Sequence, residues 1–254
     1  MKKIIFEFII IILLITLLFK YNIQIKYNLE LVLLSFVKNI IPSMFPIIFI
    51  TNYIKYNILN TLHNKYIRYI SLLFSFAPSN AIICASKDEL LYSSVINPLY
   101  SYTVLSNYFC FSKVLYIIII NMLFNYIFLF KNISNNHVYL FTKKSFTYII
   151  KETTMTIINI LGVVIFFNIL IVLLNIIISS KALFFFEITN GFLVLDTLNN
   201  LLLKRVLVVF LNSFGGLAIF FQIKSINNDA SYKLLINKIV LSVIITIITM
   251  VLIT

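Results

Sequence analysis

Long uncharged apolar stretches recur along almost the whole of this 254-residue chain. A helix needs roughly 20 such residues to cross the hydrocarbon core of a bilayer, which is about 30 Å thick. Hydrophobic residues make up 61% of the sequence and charged residues 11%, whereas soluble domains carry about 25% charged residues. Because this composition cannot form a soluble surface, we expect an all-helical integral membrane protein whose first partner is the lipid bilayer.

The net charge of +12 does not indicate a nucleic-acid-binding protein. The lysines lie between the apolar stretches and do not gather on one face with interleaved aromatic residues. They are typical of topology signals and of contacts with lipid headgroups. The cysteines and histidines lack the spacing of metal ligands, and HExxH, GxSxG and P-loop motifs are missing. We therefore predict no enzyme, no metal or cofactor and no nucleic-acid partner.

The apolar residues form about seven or eight segments. Residues 4–19 follow a Met-Lys-Lys start and precede no small-x-small cleavage site, so they predict a retained first helix that begins in the cytoplasm. The later segments are residues 31–53, the polar-studded stretch 69–111, and residues 114–130, 155–178, 183–203, 206–223 and 239–253. We treat residues 1–254 as a single multi-pass domain of the cell membrane, with its oligomeric state open.

Two cationic loops set the expected topology. The loop that contains Lys55, Lys65 and Arg68, and the lysine-rich loop of residues 131–151, both indicate the cytoplasmic side. The broken stretch 69–111 contributes two of the three apolar pieces between these loops and residues 114–130 the third, so one of them must fail to cross. Polar, proline-broken backbone is tolerated at membrane depth only inside protein or along a cavity. Because both loops lie on the same side, an even number of crossings must separate them. This requirement predicts a broken or re-entrant helix in the stretch 69–111.

The two halves of the chain share a coarse pattern. Residues 31–130 and residues 155–253 each contain one clean apolar helix followed by an interrupted, polar-studded stretch. Inverted-repeat transporters have this organisation, and their broken segments meet near the membrane midplane. We therefore predict an inverted repeat.

The first interruption lies in residues 75–81, with the sequence Ser-Phe-Ala-Pro-Ser-Asn-Ala. Pro78 removes a backbone donor, and Ser79 and Asn80 can cap a new helix start. A helix start inside a membrane favours anions. A simple proline kink, satisfied by its polar neighbours, explains the same residues equally well.

Two further stretches also interrupt apolar segments with polar or helix-breaking residues. Asn97 and Pro98 repeat the Asn/Pro chemistry, and residues 212–216 (Asn-Ser-Phe-Gly-Gly) precede Gln222. A glycine pair in a helix indicates either close packing or an unwound turn. The candidate substrate-binding residues are Ser75, Pro78, Ser79, Asn80, Asn97, Pro98, Gly215, Gly216 and Gln222. Glu187, an acidic residue in an apolar segment, is a candidate for binding a coupling proton or cation.

At these positions the sequence resembles the YlbJ family of sporulation integral membrane proteins, within the wider nucleoside-recognition or Gate-domain membrane group. The matching segments are residues 41–46 (Ile-Pro-Ser-Met-Phe-Pro), 75–81, 96–100 (Ile-Asn-Pro-Leu-Tyr), 186–189 (Phe-Glu-Ile-Thr) and 213–222. They occur in the family's order between about residues 37 and 238. Phe76 stands where the family usually has glycine, and the chain is shorter than typical members.

This resemblance implies a protein of sporulation that moves dipicolinate into the forespore across the outer forespore membrane. A dianion suits helix N-termini and side-chain donors such as Ser79, Asn80 and Asn97. We therefore expect a transporter for a small organic anion. A non-transporting membrane scaffold or assembly factor, and a carrier for nucleosides or other solutes, are the alternatives.

Overall fold

The computed structural model describes residues 12–13, 15–58, 82, 90, 98–132, 142–175, 178, 183–227 and 231–253. Within these ranges the regular structure is helical throughout. Three helical stretches are long and apolar enough to cross a membrane, or four if a bent pair over residues 22–58 forms one span. The predicted all-helical class is confirmed, and these apolar helices indicate a membrane protein.

The helices are α1 (Asn22–Ser35), α2 (Ile41–Tyr53), α3 (Pro98–Leu105), α4 (Phe111–Asn132), α5 (Phe146–Leu174), α6 (Ile188–Asp196), α7 (Leu201–Phe214), α8 (Leu217–Ile226) and α9 (Tyr232–Ile253). Two π-helical turns of five residues, Phe36–Ile40 and Ile54–Ile58, follow α1 and α2.

The second apolar segment is bent. The helical stretches on either side of residues 39–40 make an angle of 54°. Pro42 lies in the first turn of α2, where its missing N–H would be unpaired anyway, whereas Pro46 lies inside the helix and removes a backbone hydrogen bond. The segment also starts earlier than predicted, because α1 begins at Asn22 and its buried residues Ile25 and Val32 extend the same inner face.

Other helix limits also differ from the prediction: α5 begins at residue 146 and not at 155, and α7 runs through residues 204–205, which separate two predicted segments. Residues 146–151, predicted as part of a loop, form the first turns of α5, and the Ser145 hydroxyl caps this helix by accepting from the Tyr148 N–H at 3.3 Å. Similarly, α9 begins at Tyr232 and not at residue 239. Lys238 therefore lies within a helix that is long enough to cross a membrane.

Helix α7 lies at the centre of the second half. It packs against α6 and α9, while α5 packs against α1, α2 and α8. The side chains of Val208, Val209 and Leu211 are fully buried in the core. This arrangement places the two chain interruptions that flank α6 and α7 in the protein interior.

Candidate functional site

The Gly215–Gly216 pair interrupts a helical stretch. Gly215 ends α7 in the left-handed conformation (φ 82°), and Gly216 follows with φ 83° and ψ 165°. That second conformation is essentially open only to glycine. The pair is therefore an unwound turn, and α8 starts anew after it inside the bundle.

The new start of α8 docks on the segment that precedes α6. The N–H of Leu217 donates to the Phe185 carbonyl at 3.0 Å, and the N–H of Ala218 donates to the Phe186 carbonyl at 2.9 Å. A Cβ atom on Gly216 would lie 3.2 Å from the Ile188 nitrogen. The two unwound segments thus satisfy each other's backbone groups, and these two N–H groups are not available to an anion.

Glu187 lies at this junction and caps α6. Its side chain is 1% exposed, and its Oε2 accepts from the Asn190 N–H at 2.8 Å. The Asn190 amide donates to Asn168 Oδ1 on α5 at 3.3 Å. A carboxylate at a helix start is stabilised by the N–H groups and by the helix dipole. The cap therefore connects α6 to α5 through amide side chains.

A second buried polar cluster joins α4, α7 and α9. Lys238 Nζ donates to Asn125 Oδ1 at 2.8 Å, and the Asn125 amide donates to the Asn121 carbonyl at 2.7 Å. The Asn121 amide in turn donates to Ser213 Oγ at 3.0 Å, two residues before Gly215. Polar groups within apolar helices face partners of this kind because an unpaired group in hydrocarbon is costly.

A small cavity of about 10 Å³ lies beside this cluster and has room for about one water molecule. Pro98 and Ser101 of α3 line it together with Asn212 and Ser213 of α7. The buried Oδ1 of Asn212 has no hydrogen-bond partner in the described part of the chain. The second and third predicted interruptions therefore meet at this point.

A larger cavity of about 460 Å³ lies between α1, α3 and α6. Its polar lining includes Tyr100, Thr103 and Asn107 on one side and Thr189 on the other. The buried Thr189 hydroxyl has no hydrogen-bond partner among the described residues. The volume falls within the range of roughly 300–1,000 Å³ that small-molecule pockets occupy.

Charges at one end of this cavity are balanced. Tyr108 Oη donates to Asp196 Oδ1 at 2.9 Å, and Lys204 Nζ lies 3.1 Å from the same oxygen. Tyr108 belongs to the turn between α3 and α4, and burial together with the neighbouring Asp196 carboxylate raises the pKa of its hydroxyl. The Asp196 charge is thus compensated, and the other polar groups of the lining are hydroxyl and amide groups.

The predicted site residues fall into two groups. Ser75, Pro78, Ser79, Asn80 and Asn97 lie outside the described residues. Of the others, Pro98 starts α3, Gly215 and Gly216 form the interruption, and Gln222 is buried in α8. Gln222 lines neither of the two cavities.

Sequence reasoning missed Asn121, Asn125, Asn168 and Lys238. The first two are four residues apart in an apolar helix, which places them on the same face. That spacing was a usable signal. Lys238 carried a weaker signal, because the predicted helix began one residue after it.

The long apolar helices indicate a helical membrane protein, and the chain interruption and buried amide clusters give it a polar interior. No protein family, curated protein or solved structure matches this chain.

Proposed function

We propose that this chain is a multi-pass membrane transporter for a small organic anion, with about seven or eight crossing or re-entrant segments arranged as an inverted repeat. The observation that carries the proposal is the docking of the Gly215–Gly216 interruption on the unwound segment before α6. In secondary transporters, discontinuous helices meet near the membrane midplane and form the solute site. A scaffold made of lipid-facing helices has no need of such backbone.

The cavity of about 460 Å³ is the proposed solute site. Thr189, Tyr100 and Asn107 offer hydroxyl and amide donors of the kind that bind carboxylate oxygens. Lys204 balances the Asp196 charge at one end of the cavity. A solute with carboxylate groups therefore meets donors without facing the uncompensated charge of Asp196.

Dipicolinate is the specific solute that we propose, and the support for it is the resemblance to the sporulation family. A planar, compact dianion is compatible with the size and donors of the cavity. The corresponding location is the outer forespore membrane of a sporulating cell.

Uptake of labelled dipicolinate by liposomes that contain the purified full-length chain tests this proposal. We expect saturable uptake, and we expect Thr189→Val to raise KM roughly tenfold, because a buried donor is worth about 1–3 kcal/mol. Thr154→Val is the matched control, because Thr154 is exposed on α5 and, among the described residues, donates to the Ile150 carbonyl of its own helix.

Three outcomes would overturn parts of the proposal. Uptake of uridine in place of dipicolinate would indicate a nucleoside carrier, and no flux of either solute would favour the scaffold. In a spore-forming source, normal dipicolinate content in spores that lack the gene would remove dipicolinate as the substrate.

A further inference from the structure

Glu187 is a buried acid beside the proposed solute cavity. Its side chain is 1% exposed, and it forms no ion pair with any residue that the structure describes. Thr189, two residues further along, lines the cavity, and Tyr100 forms part of the opposite wall. A carboxylate in this position and an anion in the cavity would repel each other.

Charged residues of the surrounding elements do not pair with Glu187 in the described part of the chain. The charged residues and tyrosines of α1, α3, the α3–α4 turn and α5 to α9 are Lys26, Tyr27, Glu30, Tyr100, Tyr102, Tyr108, Tyr148, Lys151, Glu152, Asp196, Lys204, Arg205, Lys224, Tyr232, Lys233 and Lys238. Asp196 and Lys204 pair with each other, and Lys238 donates to Asn125. From α5, the neutral amide of Asn168 and the apolar ring of Phe167 reach this junction.

We propose, on the basis of the transport function above, that Glu187 binds a proton when the anion occupies the cavity and releases it when the anion leaves. The proton adds to a carboxylate oxygen of Glu187 from one aqueous phase and is released to the other. Protonation removes the repulsion between two negative groups and the cost of a charged carboxylate inside the membrane. Solute and proton therefore move in the same direction.

The structure also provides a physical connection between this proton and the chain interruptions. The ionised carboxylate is a strong cap for the start of α6, and protonation weakens that cap. The segment just before the cap carries the Phe185 and Phe186 carbonyls that accept from the first N–H groups of α8. A change in the proton on Glu187 thus alters the contact between the two unwound segments.

Accumulation of labelled dipicolinate in liposomes tests the coupling. It is measured with and without a proton gradient directed inwards, with the outside more acidic. In the wild type we expect the gradient to raise accumulation at least fivefold. In Glu187→Gln we expect the ratio of accumulation with and without the gradient to fall to about one, because the amide still accepts from the Asn190 N–H but binds no proton. Glu152→Gln on α5 is the matched control and should keep the wild-type ratio.

A second measurement does not depend on transport. Infrared difference spectra of the lipid-reconstituted protein, recorded between acidic and alkaline pH, should show a protonated carboxyl band that Glu187→Gln removes and Glu152→Gln retains. An unchanged band in Glu187→Gln would overturn the proton site even if dipicolinate is transported. A wild-type accumulation ratio near one, or uptake that follows a sodium gradient at constant pH, would overturn the coupling. Absence of all uptake with the band present would count against the transport function alone.

Discussion

Two stretches of similar length, α5 and the α7–α8 pair, differ in how regular and how deeply buried they are. Helix α5 runs without interruption for 29 residues, and 39% of its most apolar window is buried. The stretch Leu201–Ile226 has 26 residues and contains the glycine interruption, and 72% of its window is buried. The continuous helix exposes one face, whereas the interrupted pair is surrounded by protein.

The glycines of these two stretches differ in the space that surrounds them. A Cβ atom on Gly162 of α5 would meet no atom within 4 Å, whereas one on Gly216 would lie within 3.4 Å of Glu187 and its neighbours. Backbone can unwind at membrane depth only where protein supplies partners for its polar groups. Burial and interruption therefore occur together, and the more exposed helix remains regular.

The largest expected effect is at Gly191 in α6. A Cβ atom there would overlap the Phe184 carbonyl oxygen and lie 2.5 Å from Leu211 Cδ2. We expect Gly191→Ala to lower the free energy of unfolding by about 3 kcal/mol, at the upper end for overpacked sites. Unfolding by denaturant in detergent measures this change. A loss below that of Gly216→Ala would show that α6 does not pack tightly against α7.

Gly216→Ala and Gly162→Ala should have opposite signs. At Gly216 the positive φ and the nearby backbone atoms predict a loss of about 2 kcal/mol. At Gly162 the exchange improves helix propensity in open space and should stabilise α5 by about 0.5–1 kcal/mol. Both variants are compared by the same unfolding assay. Equal effects would remove the contrast between the two stretches.

The buried cluster beside α7 predicts a smaller loss. Asn121→Ala removes the donor to Ser213 Oγ, and we expect a loss of about 1 kcal/mol, since hydrogen bonds between membrane helices average about 0.6 kcal/mol. Thr154→Ala on the exposed face of α5 removes a bond within one helix and should change stability by less than about 0.5 kcal/mol. A larger loss for Thr154→Ala would contradict the importance of the interior cluster.

The smallest effect concerns alkaline pH at the cavity end. Because the folded state raises the pKa of Tyr108 above its ordinary value of about 10, its contribution to stability is complete below pH 10 and decreases as pH rises further. Tyr108→Phe should therefore flatten the decline of stability above pH 10. Melting temperatures across this pH range measure the slope, with the exposed Tyr102→Phe as the control. An unchanged slope in Tyr108→Phe would contradict the assignment.

Hydropathy was sufficient to predict the helical class, because each apolar stretch must satisfy its backbone internally in a bilayer. The interruption at Gly215–Gly216 was predictable for a similar reason, since a glycine pair weakens any helix that contains it. Helix limits were harder to predict from the sequence. The start of α1 at Asn22 depends on packing against α5, which the local sequence does not encode.

Residues of the site could be predicted from the sequence only where the residue type itself is unusual within an apolar segment. Pro98 and Ser213 line one cavity although more than a hundred residues separate them, and no local pattern reveals such a meeting. Similarly, the contact of Asn121 with Ser213 joins residues 92 positions apart. The larger cavity depends on three helices from both halves of the chain, so its existence follows from the tertiary fold.

The short helix α6 has a consequence for how the chain is inserted during synthesis. Its nine residues extend about 14 Å, too short to cross the hydrocarbon core alone. The Phe185 and Phe186 carbonyls before it find their partners only when Leu217 and Ala218 have been made. We therefore expect α6, α7 and the glycine turn to leave the insertion machinery for lipid together, once the start of α8 has been made.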